Sequence, residues 1–590
     1  MSYAADVGIT VLIYVMLGVS LNLLVGYTGR VSMAHAIFFG IGGFTAARLT
    51  LPPADPAAAS SYATVVSGFG WNWLPALAVA AAVAFLGALL ISLPAVRLVR
   101  GEYLILLTLA FQLLANQLMG LLDWVTGGPY GLSGIPPVEL FGWSLRAPER
   151  MFGLMLVATA IVVAICWRLG ESPFGRLLKG IREHDSAVSS VGKNPVVPEL
   201  LAFGISAAIA GGVGALAAFY YGSVVPGNYT LDVSILIVSI VVLGGAGNIT
   251  GTVVAAVVLG LLDPILRRTF GDSAIPWQAV IYGAALVLMM RLRPGGLLPE
   301  GAGITRLLPR RQRRAGEHRT PEEALARLAR VTKTETAEAE TVVEVVGLQK
   351  SFGGLTAVNG ATFALPAGKV TALIGPNGAG KTTIFNMICG TIPVDAGRVF
   401  LRGQDVTGSP AHALVRLGLA RSFQDVRVAQ RLTALDNVAM AVPGQAGEHI
   451  VQLALRPWRV RRQEAATRDR ALDCLALLGM AEKAYLLAGD LSYGDQKLIA
   501  IARLIATDCD VLLLDEPTSG VDPASVERVV DGIGRLRDLG RTVCLVEHSV
   551  HFVQRLADRA VFLDQGAVVA EGTVDELMQS RELADLYFGT

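Results

Sequence analysis

The chain has 590 residues, of which 53% are hydrophobic and 16% charged, and its formal net charge at pH 7 is +1. This length exceeds that of one ordinary domain, and the near-neutral charge gives no support for binding to nucleic acid or to an acidic partner. Five cysteines are scattered along the chain without a CxxC pair, which argues against a disulfide framework. The function is therefore encoded in the motifs of each half.

Residues 1–300 consist of long apolar runs separated by short polar loops. Six runs are long enough to cross about 30 Å of hydrocarbon as helices. They lie near 8–27, 31–50, 71–93, 102–122, 151–169 and 199–222. A longer run, 232–266, contains GGAGN at 244–248 and predicts two helices, and a final span is predicted near 274–291. The sequence thus predicts an all-α polytopic membrane domain of about nine spans.

The first apolar run has no charged start and no small-residue cleavage site, so we expect a first span rather than a signal peptide. Nine spans with the C-terminus in the cytoplasm place the basic segment 168–193 on the cytoplasmic side, in agreement with the positive-inside rule. Small residues recur at helical spacing in 203–219, including Gly204 and Gly211, and predict closely packed helices.

Five polar residues lie within the predicted spans, where exposure to lipid is costly. They are Asn22, His35, Gln112, Asn116 and Gln117. We expect them to face the interior of the bundle, and for each of them structural hydrogen bonding is favoured over substrate contact.

Residues 301–342 are polar, basic at their start and acidic at their end, and predict a cytoplasmic linker. The linker contains four clustered arginines, Arg310, Arg311, Arg313 and Arg314. We interpret them as a solvated stretch that could touch anionic membrane lipid, and not as a nucleic-acid site.

Residues 343–590 alternate strand-like and helix-like patterns and predict an α/β domain. GPNGAGKTT follows the strand-like KVTALI and precedes a helical segment, which is the context of a P-loop. Its candidate ATP-binding residues are Gly375, Pro376, Asn377, Gly378, Ala379, Gly380, Lys381, Thr382 and Thr383. Backbone N–H groups of such a loop wrap phosphates, Lys381 can neutralise the β- and γ-phosphates, and Thr382 offers a hydroxyl to magnesium. Alone, this motif indicates only nucleotide binding.

A second motif, VLLLDEP at 511–517, predicts a buried strand that ends in two carboxylates. Asp515 is placed to hold Mg²⁺, and Glu516 is placed to accept a proton from an attacking water. The two carboxylates therefore serve two roles in hydrolysis of a nucleotide.

LSYGDQ at 491–496 resembles the signature sequence of ABC ATPases. The other positions that define ABC ATPases also occur in the expected order along the chain. They are Phe352 in SFGG, Gln424 in RSFQ, Asp522 in SGVD and His548 in VEHS. This part of the chain is therefore identified as a member of the ABC superfamily, with a P-loop ATPase fold.

By this resemblance, Phe352 stacks on adenine, with core packing as the alternative for a single aromatic residue. Gln424 senses the γ-phosphate and Mg²⁺ and reports to the membrane domain, and His548 contacts the γ-phosphate. The resemblance also implies that Ser492 and Gly494 contact the nucleotide of the opposite subunit, so the ATPase is expected to dimerise. Asp522 is grouped with the residues that couple the two domains.

Within the ABC superfamily, the chain most resembles the branched-chain amino-acid importers. The ATPase half is similar to theirs from SFGGLTAV to ELADLYFGT, including the basic insert LALRPWRVRRQEAATRDRAL. The membrane half is similar to their permease in LNLLVGYTGRVSMAHAIFFGIGGFTAA, VRLVRGEYLILLTLAF, TGGPYGLSGIP and ESPFGRLLKGIREHDSAVSSVGKNP. The chain resembles a permease subunit fused to its ATP-binding subunit, although these subunits are usually separate chains.

This resemblance implies ATP-driven import across the bacterial cytoplasmic membrane, with Mg²⁺ as cofactor and an external solute-binding protein as partner. A second permease and a second ATPase subunit are expected, either homologous chains or a second copy of this one. The short helix near Arg182 to Gly192 is expected to lie in a groove of the ATPase, with Arg182 and Glu183 in the coupling contact. The implied substrate is a branched-chain or related amino acid, and urea or short amides are alternatives.

Two other classes of protein combine such halves. One is an ABC exporter half-transporter, but exporters of the common type have long cytoplasmic helices, whereas the longest internal loop here is 170–198. The other is an ATPase merely anchored in the membrane, which would not need polar residues in its spans. The sequence favours the importer.

Overall fold

The computed structural model describes residues 2–53, 67–98, 101–140, 142–270, 274–300, 319–331 and 341–579. The clustered linker arginines and the C-terminal ELADLYFGT lie outside the described residues. The chain forms two compact units, 1–178 with 196–310 and 179–195 with 311–590. The second unit thus includes a segment that the sequence places between two apolar helices.

The first unit is built mainly from helices. In chain order they are α1 (Ser2–Thr28), α2 (His35–Thr50), α3 (Trp73–Leu98), α4 (Gly101–Leu121), α5 (Asp123–Thr126), α6 (Pro148–Gly170), α7 (Pro173–Ser189), α8 (Val196–Tyr221), α9 (Leu231–Gly244), α10 (Ile249–Phe270) and α11 (Ala274–Leu292). Residues of α7 from Lys179 onward belong to the second unit. Two short antiparallel pairs join β1 (Leu132–Ser133) to β4 (Ser223–Val224) and β2 (Glu139–Leu140) to β3 (Trp143–Ser144).

Each of the nine predicted spans overlaps one of these helices. Within the described residues, seven helices are long and apolar enough to cross a membrane. The predicted break at GGAGN is confirmed, because α9 ends at Gly244 and α10 begins at Ile249. Gly245 and Gly247 in the break have φ of 106° and 86°, and residues other than glycine rarely adopt such positive φ angles.

The predicted close packing of α8 is confirmed at Gly211. A Cβ added to Gly42 of α2 would lie 2.0 Å from the carbonyl oxygen of Gly211, so the two helices meet backbone to backbone. Gly204 of the same helix has Phe85 of α3 against it. The small residues therefore set how closely α2, α3 and α8 approach.

Four of the five polar span residues make structural hydrogen bonds, as expected. The Asn22 amide oxygen accepts from Gly247 N at 2.9 Å, His35 Nε2 lies 2.8 Å from Ser20 Oγ, and Gln112 and Asn116 both donate to the carbonyl of Tyr229. The expectation was wrong for Gln117, which is exposed. Successive helical residues point about 100° apart, so Gln117 cannot share the inward face of Gln112 and Asn116.

The described part of the second unit contains two sheets. A mixed sheet has the strand order β10 (Leu419–Arg421), β11 (Val511–Asp515), β12 (Thr542–Val546), β7 (Val370–Ile374), β13 (Arg559–Asp564) and β14 (Ala567–Gly572), with only β14 antiparallel. An antiparallel sheet has the order β6 (Leu355–Pro366), β5 (Thr341–Phe352), β8 (Ala396–Leu401) and β9 (Gln404–Asp405). The central strands β7, β11 and β12 are buried at every position, as expected for a sheet covered on both faces.

Within the described residues, ten α-helices accompany these sheets. They are α12 (Pro321–Val331), α13 (Lys381–Ile388), α14 (Ala411–Arg416), α15 (Ala434–Ala441), α16 (Ile450–Leu455), α17 (Pro457–Leu477), α18 (Tyr493–Ala506), α19 (Pro523–Asp538), α20 (Val550–Leu556) and α21 (Val574–Gln579). One apolar cluster, which includes Leu373, Phe385 and Val345, joins the two sheets and α13. A second cluster packs α15, α17, α18 and α19 on the mixed sheet.

The linker contains a helix that the sequence analysis did not predict. Ala324 and Leu328 of α12 are buried in the second cluster, one helical turn apart. Arg319 donates to Asp473 and Asp469 of α17 at 2.9 Å each. The described part of the linker is therefore a docked helix.

Candidate nucleotide site and coupling segment

The candidate site forms where four loops leave neighbouring parallel strands. The P-loop follows β7, Asp515 ends β11 and Glu516 follows it, His548 follows β12, and Gln424 follows β10. The carboxyl ends of parallel strands share one edge of the sheet, where ligands of such folds bind. The strand order thus gathers motifs that are far apart in sequence.

The P-loop curls around its own lysine. Gly375, Gly378 and Gly380 have φ of 148°, 86° and 92°, so the loop needs glycine at these positions. The Lys381 ammonium donates to the carbonyls of Gly375 and Pro376, both at 2.8 Å. Burial lowers the pKa of Lys381, against the opposing effect of Glu516 and Asp515. The cation is thereby held at the loop where a nucleotide's phosphates would lie.

The tip of the loop, Asn377 and Gly378, is exposed, and Ala379 is buried. Thr382 and Thr383 occupy the first turn of α13, which begins immediately after Gly380. Their position at a helix N-terminus adds backbone N–H groups that favour bound phosphate.

Asp515 is buried and only partly paired. Its Oδ2 accepts from Arg421 Nη2 at 2.8 Å, in an ion pair whose side chains are 1% and 5% exposed. Its Oδ1 has no hydrogen-bond partner among the described residues. A buried carboxylate oxygen without a donor is costly, and an oxygen ligand is what Mg²⁺ requires. Asp515 therefore fits a magnesium ligand.

The three predicted catalytic residues are in direct contact. Gln424 Nε2 donates to Glu516 Oε2 at 2.8 Å, and His548 Nε2 lies 2.9 Å from Glu516 Oε1. Glu516 has φ of +46°, a strained backbone conformation of the kind that clusters at functional sites. Both oxygens of the candidate base are thus oriented by partners.

Sequence reasoning missed the lysine that joins these loops. The Lys497 ammonium, on α18, donates to the carbonyl of Gln424 at 2.7 Å and to the carbonyl of Glu516 at 3.0 Å. It is 4% exposed, and burial lowers its pKa. The only signal in the sequence is a lysine on the apolar side of a helix.

The signature residues cap α18 and contact α19. Ser492 Oγ accepts from Asp495 N at 3.2 Å, and Asp522 accepts from Ser525 N at 3.0 Å as the N-cap of α19. A Cβ on Gly494 would lie 2.4 Å from Ser525 Cβ, so this position requires glycine. The structure brings Ser492, Gly494 and Asp522 together at the starts of two helices.

Phe352 ends β5 and is 51% exposed, so the core-packing alternative is wrong. The ammonium of Lys350 lies 5.5 Å from the centre of its ring and is paired with Asp395 at 2.6 Å. The exposed ring is available for stacking on a planar ligand.

Segment 179–195 is anchored on the ATPase unit by side chains from both sides. Glu183 accepts from the backbone N–H groups of Gln430 and Arg431, at 2.5 and 3.2 Å. Arg503, at the end of α18, donates to the carbonyl of Ala187 and to that of Arg427, both at 2.8 Å. Arg182 lies beside Glu183 at 3.9 Å. Arg503, which the sequence analysis did not single out, links the signature helix to this segment.

A P-loop, a strand ending in Asp-Glu and a signature helix on one sheet edge define an ABC-type ATPase. The family description "ABC transporter" matches residues 358–519, and "Branched-chain amino acid transport system / permease component" matches residues 3–290. The chain belongs to the branched-chain amino-acid ABC transporter family, with the permease and ATP-binding components in one polypeptide. It is a membrane protein and an ATPase that binds ATP, and ABC transporters work with partner subunits.

Three curated relatives resemble the ATPase half. LivG of Escherichia coli K12, a high-affinity branched-chain amino acid transport ATP-binding protein, is 34% identical over 251 residues, 42% of this chain and 98% of LivG. BraF of Pseudomonas aeruginosa, with the same description, is 34% identical over 249 residues, 42% of this chain and 98% of BraF. The lipopolysaccharide export system ATP-binding protein LptB of Escherichia coli K12 is 33% identical over 242 residues, 41% of this chain and 95% of LptB.

Proposed function

We propose that this chain is the permease–ATPase subunit of an importer for branched-chain amino acids or closely related solutes. The observation that carries the proposal is the permease match over residues 3–290 in the same chain as the ATPase. The ATPase relatives include both amino-acid transport proteins and an export system, so the ATPase half alone does not select a direction. The permease half therefore carries the assignment of substrate class and direction.

We propose that ATP is hydrolysed between two ATPase units that face each other. Phe352 stacks on adenine, the P-loop N–H groups and Lys381 bind the phosphates, and Ser492 and Gly494 reach the nucleotide held by the opposite unit. Thr382, Asp515 and Gln424 would hold Mg²⁺, which neutralises phosphate charge when bound. Glu516 accepts the proton of the attacking water, and Gln424 and His548 orient its carboxylate.

We propose that closure of this pair is transmitted through segment 179–195. Lys497 ties the backbone of Gln424 to that of Glu516, and Arg503 on the same helix reaches Ala187. Movement of α18 would therefore displace the loops that carry Gln424 and Glu516 together with segment 179–195. Glu183 and Arg182 complete the contact, with Asp522 at the start of the neighbouring helix α19.

In this proposal the protein lies in the bacterial cytoplasmic membrane with the ATPase unit in the cytoplasm, and an external solute-binding protein delivers the substrate. The second permease and ATPase are homologous chains or a second copy of this one. An exporter half-transporter is the alternative, supported by the similarity to LptB.

The test is uptake of radiolabelled leucine by right-side-out membrane vesicles that contain ATP. The vesicles come from cells that express the chain with the partners that co-purify with it. We expect ATP-dependent accumulation that excess isoleucine or valine suppresses and that is lost in Lys381→Ala and Glu516→Gln. Suppression by urea or acetamide instead would replace the amino acid as substrate. ATP-driven loss of preloaded solute, with no uptake, would replace import by export. Mass spectrometry of the Glu516→Gln complex trapped with ATP identifies the partners.

A further inference from the structure

The ATPase unit exposes a surface that is both apolar and basic. Three large apolar residues on α16 and α17, Val451, Leu455 and Trp458, are 68%, 69% and 70% exposed. Four exposed arginines accompany them, Arg456, Arg459, Arg461 and Arg462. We name these seven residues the arginine–tryptophan surface. Its apolar members would ordinarily be buried, so the surface calls for an occupant.

The charge of this surface is uncompensated. No acidic residue occurs in 449–463. The carboxylates on either side are already paired, Glu448 with Lys193 at 2.7 Å and Glu464 with Arg468 at 2.8 Å. Among the described residues, none of the four arginines has a side-chain ion pair or hydrogen bond. The surface therefore presents four free positive charges beside apolar side chains.

The surface is rigidly mounted. Leu453 and Val460, at 5% and 6% exposure, anchor α16 and α17 beneath the exposed residues. Val451 and Leu455 are four residues apart and share one face of α16. The exposed side chains are thus held outward by a fixed backbone.

Chain connectivity ties this surface to the membrane. Lys193 pairs with Glu448 and also donates to the carbonyl of Val442 at 2.9 Å. Three residues after Lys193, the chain begins the apolar helix α8 at Val196. Val196 is three residues from Lys193, and Val451 is three residues from Glu448. Each of these two spans covers at most about 11 Å when the chain is extended. The Lys193–Glu448 ion pair therefore joins the neighbourhood of the arginine–tryptophan surface to a segment that continues into an apolar helix.

We propose that the arginine–tryptophan surface docks on the anionic lipid headgroups of the cytoplasmic leaflet. Arginines near an anionic bilayer gain electrostatic attraction, and tryptophan prefers the headgroup region, where its ring is partly apolar and its N–H is wet. In this proposal the docked surface holds the ATPase unit against the bilayer. The proposal requires the ATPase unit to face that leaflet, and it does not depend on which solute is transported.

A fluorescence experiment on the full chain tests this proposal. All five native cysteines are buried, so a cysteine introduced at Ala454, an exposed position of α16, can be labelled selectively with bimane. The labelled protein is reconstituted in phosphatidylcholine alone or with a quarter of phosphatidylglycerol, each containing headgroup spin-labelled lipid as quencher. We expect quenching to be roughly twofold stronger with phosphatidylglycerol.

Two controls separate lipid docking from other occupants. Val569→Cys on β14, 52% exposed, is the matched reporter elsewhere on the unit and should show equal, weak quenching in both bilayers. Combining Arg459→Gln, Arg461→Gln and Arg462→Gln should remove the phosphatidylglycerol effect at position 454. These arginines are remote in sequence from the nucleotide motifs, so unchanged ATPase activity in detergent verifies folding.

Equal quenching at positions 454 and 569, or quenching that does not respond to the arginine substitutions, would overturn the proposal. Protection of Ala454→Cys from labelling in lipid-free detergent would also overturn it, because the occupant would then be protein. Protection that depends on protein concentration would assign the surface to a second copy of the chain, and protection that does not would assign it to another subunit.

Discussion

Glu516, the proposed catalytic base, has partners from other elements at both of its carboxylate oxygens and at its backbone carbonyl. Gln424 and His548 contact the carboxylate, and Lys497 contacts the carbonyl. The base is therefore positioned by one residue from the loop after β10, one from the loop after β12 and one from α18. We therefore expect the orientation of Glu516 to depend on Gln424, His548 and Lys497 together.

Lys497→Met tests this dependence at a single residue. The substitution keeps the length of the side chain but leaves two carbonyls, of Gln424 and Glu516, without their charged donor. Loss of a buried hydrogen bond to a charged group costs about 1.5–3 kcal/mol, so we expect ATP turnover to fall roughly tenfold or more. ATP binding, which rests on the P-loop, should change little.

Phosphate release and nucleotide binding measure the two effects separately. Lys369→Met, at an exposed position before β7, is the matched control and should retain normal turnover. Normal ATP turnover in Lys497→Met would show that the loops carrying Gln424 and Glu516 keep their positions without this lysine.

The sequence could predict Gln424, Glu516 and His548 but not Lys497. Glu516 belongs to a motif whose residue types indicate its chemistry, and Gln424 and His548 were found through the resemblance to ABC ATPases. Lys497 acts on backbone carbonyls 73 and 19 residues away, and a carbonyl has no identity in a sequence. The pairing of Arg421 with Asp515, 94 residues apart, was invisible for the same reason.

At the scale of elements, α18 connects the signature motif to segment 179–195. Ser492 caps its start, Lys497 reaches the catalytic loop, and Arg503 near its end reaches Ala187. A helix transmits displacement along its axis because its own hydrogen bonds hold its length. This one element therefore touches three parts of the proposed cycle.

Arg503→Met is expected to uncouple transport from hydrolysis. Arg503 is buried, at 4% exposure, and its loss removes the donor that its guanidinium supplies to the carbonyls of Ala187 and Arg427. We expect solute uptake to fall about tenfold or more while ATP turnover stays within about threefold of wild type. The measurement is the number of ATP molecules consumed per solute in vesicles.

Arg537→Met on the exposed side of α19 is the control, and its ratio should be unchanged. Normal uptake and normal ATP turnover in Arg503→Met would show that α18 does not act through segment 179–195. Equal losses of uptake and ATP turnover would assign Arg503 a purely structural role.

The surroundings of His184 predict that docking of the same segment depends on pH. It lies at a break in α7, with φ of −151°. Burial lowers the pKa of His184 from its usual 6.5, Arg427 and Arg503 lower it further, and Glu183 and Asp185 oppose them. A histidine with a depressed pKa binds fewer protons when docked than when free, so docking is fully favourable above about pH 6.5 and weakens below it.

We therefore expect the ATP consumed per solute to rise as the pH falls from about 7.5 to about 5.5. His184→Gln, which cannot titrate, should remove this dependence while preserving the ratio at pH 7.5. A parallel rise in His184→Gln would place the sensitivity on another group.

The linker shows where element-scale reasoning from sequence stopped. Its composition predicts a polar tether, yet residues 321–331 form α12 and bury Ala324 and Leu328 against α17. A helix of 11 residues is marginal alone, so its stability comes from tertiary packing that the polar composition conceals. The spans, by contrast, were predictable because hydrocarbon imposes length and polarity on each one locally.

At the scale of the whole molecule, fusion of permease and ATPase raises the question of what completes the second ATP site. In the proposed mechanism, Ser492 and Gly494 of one unit meet the P-loop of the other. A pair of identical chains would then contain two equivalent composite sites. A pair with a different ATPase would contain only one P-loop and one signature from this chain.

Complementation between two inactive variants distinguishes these assemblies. Lys381→Ala removes the phosphate-binding cation, and Ser492→Arg blocks the signature, so each variant alone should lack activity in a pair of identical chains. In a mixed pair, one site combines both defects and the other combines an intact P-loop with an intact signature. We expect mixed pairs, purified through two different affinity tags, to regain ATP turnover approaching half that of wild type.

The double variant Lys381→Ala with Ser492→Arg, paired with wild type, provides the matched control. In that pair each site carries one defect, so turnover should remain near background although the number of substitutions is the same. Recovery in the mixed pair but not in this control requires that the two chains share their sites. No recovery in the mixed pair, with both tags present in the purified complex, would contradict sharing and assign the second half of each site to another ATPase.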